Sequence, residues 1–240
     1  SRRPRTLLAP SVTVQRARKE IGLAGSLALS VVDAKSRAEV KSGAAVTITG
    51  GGDLSLKAEH NSDSKAEAHA KADTGSGKVG IGLSVGLNIA NSEAVATVAD
   101  SATISGGHDL ILDARSANGA TTTAQAGGAA PSGIGVGGAI ALAIVNNTTT
   151  ASLGSPKVAE ALTLTGKLEA GAHHSGSTVT SADGAALGGK AGIGIALGLN
   201  VVTDITTVTT ARELNVGGLL TFAAENASVS MTTSSGVTTD

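Results

Sequence analysis

Large aliphatic side chains occupy every second position of residues 79–89, within a segment that reads VGIGLSVGLNIAN and ends at residue 91. The positions between them hold glycine, serine, asparagine or alanine. A period of two is typical of a β-strand, because successive side chains point to opposite faces of the pleat. The pattern predicts a strand with one branched apolar face and a second face almost free of side chains.

This alternating segment occurs four times, at residues 21–33, 79–91, 134–146 and 191–203. The last residues of consecutive copies are separated by 58, 55 and 57 positions. A nearly constant interval indicates a repeat protein in which equivalent segments stack on one another. We expect a single repeat array over residues 21–240, after a basic lead-in arm at residues 1–20. The expected repeats are approximately residues 21–78, 79–133, 134–190 and 191–240.

A second repeated unit follows each apolar segment. Its copies lie at residues 45–59, 102–115, 161–172 and 213–225, and each consists of a short alternating strand, a glycine-bearing turn and another alternating strand. A tract rich in serine, threonine and alanine then leads to the next repeat. Residues 61–73 have a weakly helical composition, but equivalent positions of a repeat share a conformation, so we predict extended chain or loop.

These patterns predict an all-β fold, a repetitive β-solenoid of four repeats of about 57 residues. Each repeat is long enough for two compact coils or one wide flattened coil. We expect the branched face to form the solenoid core. Its side chains would stack in columns, for example Leu29, Leu87, Leu142 and Leu199, and next to them Val31, Ile89, Ile144 and Val201.

The small-residue face is expected to be buried as well, against another part of the repeat or against a neighbouring subunit. A polar residue closes each apolar segment, and we expect these residues to satisfy backbone groups at corners of the coil. They are Asp33, Asn91, Asn146 and Thr203.

The composition disfavours several functions. The chain has one aromatic residue, Phe222, no Trp, Tyr or Cys, and 33 Gly. Aromatic-lined pockets and aromatic interface anchors are therefore disfavoured, and disulfides and thiolate metal sites are excluded. Residues 1–20 carry a net charge of +5 without aromatic residues to stack on bases, so we expect a flexible arm and no nucleic-acid partner. Residues 127–145 are uncharged but keep the strand alternation, so no membrane span is expected.

The sequence predicts no catalytic, cofactor-binding or metal-ligating residues. The histidines lack zinc-site spacing and are expected on the surface: His60, His69, His108, His173 and His174. Two Gly-Gly-x-Asp runs lack the full period of calcium-binding nonapeptide repeats. The acidic residues are expected at turns and without a recurring set: Asp53, Asp109, Asp113, Glu169 and Glu225. A polysaccharide-active β-helix enzyme stays an alternative.

The unit A-x-I-x-G-G-x-D-L-x-L-x-A, present at residues 102–114 and nearly so at 45–58, resembles repeats of filamentous-haemagglutinin-like and other giant repetitive bacterial surface proteins. The third and fourth copies lack the Asp, and the long alternating segment lies outside the pattern. The resemblance implies an elongated, secreted or surface-displayed shaft or adhesin segment.

We therefore expect a structural protein, not an enzyme, in an extracellular or cell-surface bacterial fibre. It would self-associate, or continue a longer repeat array, through strand edges and the Gly/Ala-rich strand face. Contact with a cell surface or a glycan is a further expected interaction. The main alternative is a carbohydrate- or ice-binding module that uses outward threonines such as those in residues 206–210.

Overall fold

A computed structural model describes residues 12–17 (backbone only), 20–75, 77–157 and 161–239. All secondary-structure elements in these residues are β-strands, which are numbered in chain order. They are β1 (Val12–Ala17), β2 (Ile21–Val40), β3 (Ala45–Thr47), β4 (Leu54–Asp73), β5 (Val79–Val98), β6 (Thr103–Ser105), β7 (Leu110–Ala130), β8 (Ile134–Leu153), β9 (Leu162–Leu164), β10 (Leu168–Gly188), β11 (Ala191–Thr210), β12 (Leu214–Val216) and β13 (Leu220–Thr239).

The strands wind into four coils. Each coil contains a 20-residue strand, a three-residue strand and a second strand of 20 or 21 residues that runs back along the first. Sheet I contains β1-β2-β5-β8-β11 in that order, and sheet II contains β4-β7-β10-β13. The pairs β3-β6 and β9-β12 close one edge. The fold is thus a repetitive β-solenoid with one wide, flattened coil per repeat, about 65 Å long in the strand direction.

The parallel register confirms the repeat alignment. Ile21 pairs with Val79, Val79 with Ile134, and Ile134 with Ala191, which reproduces the intervals of 58, 55 and 57 residues. The second repeated unit has the predicted order of short strand, turn and further strand, and this further strand continues for 20 or 21 residues in each coil. Residues 61–73 are the extended continuation of β4, in line with the prediction of extended chain or loop.

Each coil has two halves with different interiors. The leucine half lies next to the short strands, and its buried cluster combines leucine, isoleucine, valine and alanine from the first three coils, with partly buried residues of the fourth coil packed against it. Leu110, Leu112 and Leu168 are fully buried there. Three strands bound this half of the coil, and the space between them accommodates branched side chains.

The glycine half is the remainder of each coil: residues 21–31, 79–89, 134–144 and 191–201 of sheet I, facing residues 63–73, 119–129, 177–187 and 229–239 of sheet II. Its interior contains small side chains, mainly alanine, glycine and serine. A Cβ added at Gly82 would overlap the carbonyl group of Gly127, and one at Gly137 would overlap that of Ala185. At these positions the two sheets approach too closely for any side chain beyond the α-carbon, and the largest interior residues of this half are threonine and asparagine, such as Thr122, Thr180 and Asn88.

The predicted core face was wrong. The leucine column starting at Leu29 and the valine/isoleucine column starting at Val31 form in the expected register, but they lie on the outer surface of sheet I. The small-residue face is the interior one, packed against sheet II of the same chain. The physical reason is the inward alanine surface of sheet II, for example at Ala66, Ala68 and Ala70, which approaches sheet I so closely that only small residues fit.

The prediction that four polar residues lie at corners of the coil was also wrong. Asp33, Asn91, Asn146 and Thr203 lie inside the 20-residue strands and point outward. Asn146 Nδ2 donates to Asn91 Oδ1 over 3.0 Å, which links two coils through their side chains. The polar residue marks the position where the outer surface of sheet I changes from apolar to polar, while the strand continues.

Six residues of the basic lead-in form a strand. The backbone of Val12–Ala17 pairs antiparallel with the outer edge of β2, from Leu27 to Gly22. Over these residues the chain differs from the expected flexible arm. The remainder of that expectation, at residues 1–11 and 18–19, lies outside the described residues.

Candidate functional site

The outward side chains of sheet I in the glycine half form a continuous flat surface, here called the aliphatic face. It comprises the outward positions of residues 21–31, 79–89, 134–144 and 191–201, which form six columns across four strands. Every position holds Leu, Ile or Val except Gly25, Gly138 and Ala191. Individual side chains are well exposed, with Leu27 at 58% and Leu197 at 55%.

A surface of this size and composition is unusual. Monomeric soluble proteins rarely expose contiguous apolar patches above a few hundred Å², and larger ones mark binding surfaces. The sequence predicted the columns of aliphatic residues but placed them in the core, so it did not predict an exposed apolar surface. The charged residues of β4 give the missing signal, since Lys65 and Glu67 alternate with Ala66 and Ala68 and so define which face of sheet II is inside.

The opposite surface, the outer face of sheet II, is largely polar and charged, with separate apolar residues in the last two coils such as Val179, Val229 and Met231. Glu59, Arg115, His173 and Glu225 occupy one column of this surface, one residue per coil. His173 Nδ1 lies 3.0 Å from Glu225 Oε2, and Arg115 Nε donates to Asp113 Oδ1 over 2.9 Å. The hydrogen bond and charge of Asp113 raise the pKa of Arg115. Alternating charges of this kind favour one register of neighbouring coils.

The acidic residues are therefore distributed differently from the prediction. Asp113, Glu169 and Glu225 lie on strands of sheet II and not at turns, because β7, β10 and β13 begin before them. Lys167 Nζ lies 3.0 Å from Glu169 Oε2, and this hydrogen bond raises the pKa of Lys167. These carboxylates have basic neighbours that account for their placement in the fold.

Asp53 and Asp109 lie at the turn before the second long strand, as predicted. Asp53 Oδ1 accepts a hydrogen bond from the backbone N–H of Asp109, and Asp109 Oδ1 accepts one from that of Lys167. Each Asp thus connects its turn to the turn of the following coil. This contact explains physically why the Gly-Gly-x-Asp pattern recurs in the first two repeats.

His108 joins these two aspartates, with Nδ1 at 2.9 Å from Asp109 Oδ1 and 3.3 Å from Asp53 Oδ1. The three side chains place possible metal-ligand atoms within 4.8 Å of one another. Both carboxylates already accept backbone hydrogen bonds, and His108 and Asp53 are exposed. The arrangement is accounted for as a corner contact between coils.

Two histidines that were expected on the surface are buried. His60 and His174 occupy equivalent inward positions of sheet II, with Ser116 between them in the same column. Burial lowers the pKa of both imidazoles, and for His174 the nearby Asp204 opposes this effect. The adjacent His173 points outward, because successive side chains of a strand point to opposite faces.

Ser116, His174 and Asp204 meet between the two sheets. Ser116 Oγ lies 2.6 Å from His174 Nδ1 and 2.6 Å from Thr149 Oγ1, and His174 Nε2 lies 3.4 Å from Asp204 Oδ1 without hydrogen-bond geometry. These residue types form hydrolytic triads, but a nucleophile must reach a substrate. Ser116 and His174 are about 95% buried in the interior, so this cluster is a polar contact between sheets.

The threonines of residues 206–210 do not form one surface. Thr207 and Thr209 point outward on β11, whereas Thr206 points inward and its Oγ1 has no hydrogen-bond partner among the described residues. In the neighbouring strand β8 their partners are Thr150 and Ser152. The outward hydroxyl groups therefore cover only a small part of sheet I beside the aliphatic face.

Taken together, these features define a flattened β-solenoid with one large apolar surface, on the glycine half of sheet I, and a mainly polar outer surface elsewhere. No protein-family model, no curated protein and no solved structure matches this chain. The described part of the chain contains no helix with the length and apolarity needed to cross a membrane.

Proposed function

We propose that this protein is a structural segment of an extracellular bacterial fibre, shaft or adhesin. Its coils would stack on further coils, from the same chain or another copy, at the edge formed by β11 and β13. The opposite edge is formed by β2 and β4. The contrast between these two edges supports the proposal.

The first coil has features that oppose pairing of its edge with an identical edge. Its outward side chains include Lys57, Glu59, Lys65 and Glu67 on β4, and β1 covers part of the edge of β2. Charged side chains on an edge strand disfavour pairing of two first coils with each other, so the partner of this edge in a fibre is the last coil of another copy. The last coil has few charges: β11 contains Asp204, and β13 contains Glu225.

The single observation that carries the proposal is a column of equivalent core residues whose last member, in the fourth coil, is half exposed to solvent. Leu110 and Leu168 are fully buried in this column, but the next residue, Leu220, is 47% exposed. Phe222, the only aromatic residue of the chain, points to the same interior and is 39% exposed. A further coil would bury both side chains in the manner of Leu168, and apolar burial favours stacking.

The test is Phe222→Lys, which places a charge where a following coil would bury it. The charge stays tolerable in a protein that does not stack, because position 222 is then accessible to water. We expect the unmodified protein to form fibres of uniform width in electron micrographs, and Phe222→Lys to abolish them. Thr221→Lys is the matched control, since it adds the same charge one residue away on the outer face and should retain fibres.

Two outcomes contradict the proposal. The unmodified protein could remain dispersed over a wide concentration range, or Phe222→Lys could form the same fibres as Thr221→Lys. Circular dichroism of both variants verifies that each retains the strand content of the unmodified protein.

A further inference from the structure

We propose that the aliphatic face binds the aliphatic face of a second copy of this chain, so that two solenoids pair laterally. This inference goes beyond axial stacking and does not depend on it, because the aliphatic face is perpendicular to the edges that stacking would use. Three properties of the face support it: its hydrophobic content, its area and its surroundings.

The hydrophobic content of the glycine half lies almost entirely outside the solenoid. Its interior contributes alanine methyl groups and glycine backbone, whereas Leu, Ile and Val occupy nearly all positions of the aliphatic face. Burial of aliphatic side chains is the main favourable term in association as well as in folding. These aliphatic side chains therefore contribute favourable burial free energy only when another apolar surface covers the face.

The area fits a stable dimer. Six outward positions on each of four strands cover roughly 750 Å², from the strand spacing and the rise per residue. Two such surfaces in contact bury about 1,500 Å² in total, which is within the standard range for specific protein interfaces. Flat sheets with aliphatic faces pack on each other about 10 Å apart, and an identical face supplies a partner of the same shape and extent.

The surroundings of the face favour protein over lipid. The residues that precede the four strands include Glu20, Lys78 and Lys190, and those that follow the face on β2 include Asp33 and Lys35. Both signs are present among these residues, whereas a belt that attracts anionic lipid is basic. Residues 12–17 of the basic lead-in pair with β2 beside the face, so vesicle binding is the alternative outcome of the test. The chain also has no Trp or Tyr, the residues that anchor proteins at lipid headgroups.

The experiment uses Phe222→Lys as background, so that axial stacking does not contribute to the measured mass. Sedimentation equilibrium of this protein should give twice the chain mass of 23.1 kDa. Adding Val85→Lys and Ile140→Glu places two opposite charges at paired positions in the middle of the face. Burial of charge at an interface is costly, so the dimer dissociation constant should rise at least about 100-fold.

The matched control adds Thr121→Lys and Val179→Glu, which are paired positions on the outer face of sheet II in the same two coils. This variant should remain dimeric. Equal strand content of the two variants, and equal urea midpoints at protein concentrations low enough to dissociate the dimer, verify folding.

A cross-linking readout identifies the surface directly, because the natural chain has no cysteine. In the same background, Leu87→Cys with a short bismaleimide should yield a species of twice the chain mass. Thr123→Cys, on the opposite surface of the same coil, should not. Adding Val85→Lys and Ile140→Glu to Leu87→Cys should abolish the linked species.

The proposal is overturned if the Phe222→Lys protein is monomeric at about 100 μM, since an interface of this area is expected to reach micromolar affinity or better. It is equally overturned if the face variant and the sheet II control have the same mass, or if Thr123→Cys cross-links as well as Leu87→Cys. Monomeric protein that co-sediments with vesicles of neutral and anionic phospholipid would assign the face to a membrane surface instead. Fibres that persist in the Phe222→Lys protein contradict the proposed stacking of coils but not lateral pairing. In that case the cross-linking of Leu87→Cys compared with Thr123→Cys tests lateral pairing.

Discussion

The leucine half and the glycine half of each coil are parts of the same two long strands. Large apolar side chains face inward in the leucine half and outward, from sheet I, in the glycine half. In the leucine half, Leu112 and Leu153 face inward and polar side chains face solvent. In the glycine half, Gly82 and Ala139 face inward, and Leu83 and Ile140 face solvent. The apolar surface thus moves from inside to outside within one continuous strand.

This difference shows how the distance between sheets decides which residues are inside. At the closed edge a third strand holds the two sheets apart, and leucine fills the space. Farther along, the sheets approach until a Cβ at Gly82 or Gly137 would overlap the opposite backbone. Large side chains are then placed outside, where they are available for binding.

The largest effect is expected from filling the interior of the glycine half. Gly82→Val places a branched side chain against the backbone of Gly127 and forces the sheets apart. We expect a loss of about 4 kcal/mol or more, above the usual cost of overpacking, because the opposing atoms are backbone. Gly25→Val is the control, since its Cβ would meet nothing within 4 Å. Urea unfolding should give similar midpoints for Gly25→Val and the unmodified protein; equal losses in both variants would contradict the close approach.

Emptying the leucine half should have the next largest effect. Leu112→Ala removes a fully buried side chain and leaves a cavity, for an expected loss of about 3 kcal/mol. In protein held monomeric by Val85→Lys and Ile140→Glu, Leu27→Ala on the outside of the glycine half should cost less than about 1 kcal/mol. Chemical denaturation of both measures the contrast. A larger loss for Leu27→Ala would mean that the two halves do not differ in the proposed way.

A smaller effect is expected at the closed edge of the leucine half. Asp109→Ala removes the carboxylate that accepts the backbone N–H of Lys167 in the next coil. We expect a loss of about 1–2 kcal/mol, typical of one charge-assisted hydrogen bond. Glu169→Ala, which removes an exposed carboxylate from the same coil edge, should change the urea midpoint much less. If the two variants unfold together, the turn contact does not stabilise the stacking of coils.

The smallest effect concerns pH at the boundary between the halves. Burial lowers the pKa of His60 and His174 below the ordinary value of 6.5, so the unfolded chain binds more protons near and below that pH. Their contribution to stability is complete above pH 6.5 and decreases as pH falls through the lowered pKa values. His174→Gln should reduce the loss of stability between pH 7 and pH 5, measured by urea unfolding, whereas the exposed His69→Gln should not. Parallel pH profiles for both variants would contradict the role of burial.

Much of the fold was predictable because stacking in parallel register requires equivalent residues at a constant interval. The columns starting at Leu29 and Val31 followed directly from the repeat alignment. The strand character of residues 61–73 followed from the same equivalence, against a helical composition. The burial of His60 and His174 was missed, because one histidine in a polar strand gives no indication of its face unless the neighbouring alanines are considered.

The sequence by itself determined the period of two, the repeat interval and the residues that share a column. It did not determine which face of sheet I is inside, since both faces lack charge over residues 79–89 and either could be buried. The tertiary structure decided this through sheet II, where Lys65, Glu67 and Lys71 must remain in water and the alternating alanines therefore face inward. Against that alanine surface glycine, alanine and serine fit, together with Asn88, which donates hydrogen bonds to backbone carbonyl groups of sheet II, and the branched aliphatic side chains of residues 79–89 lie outside.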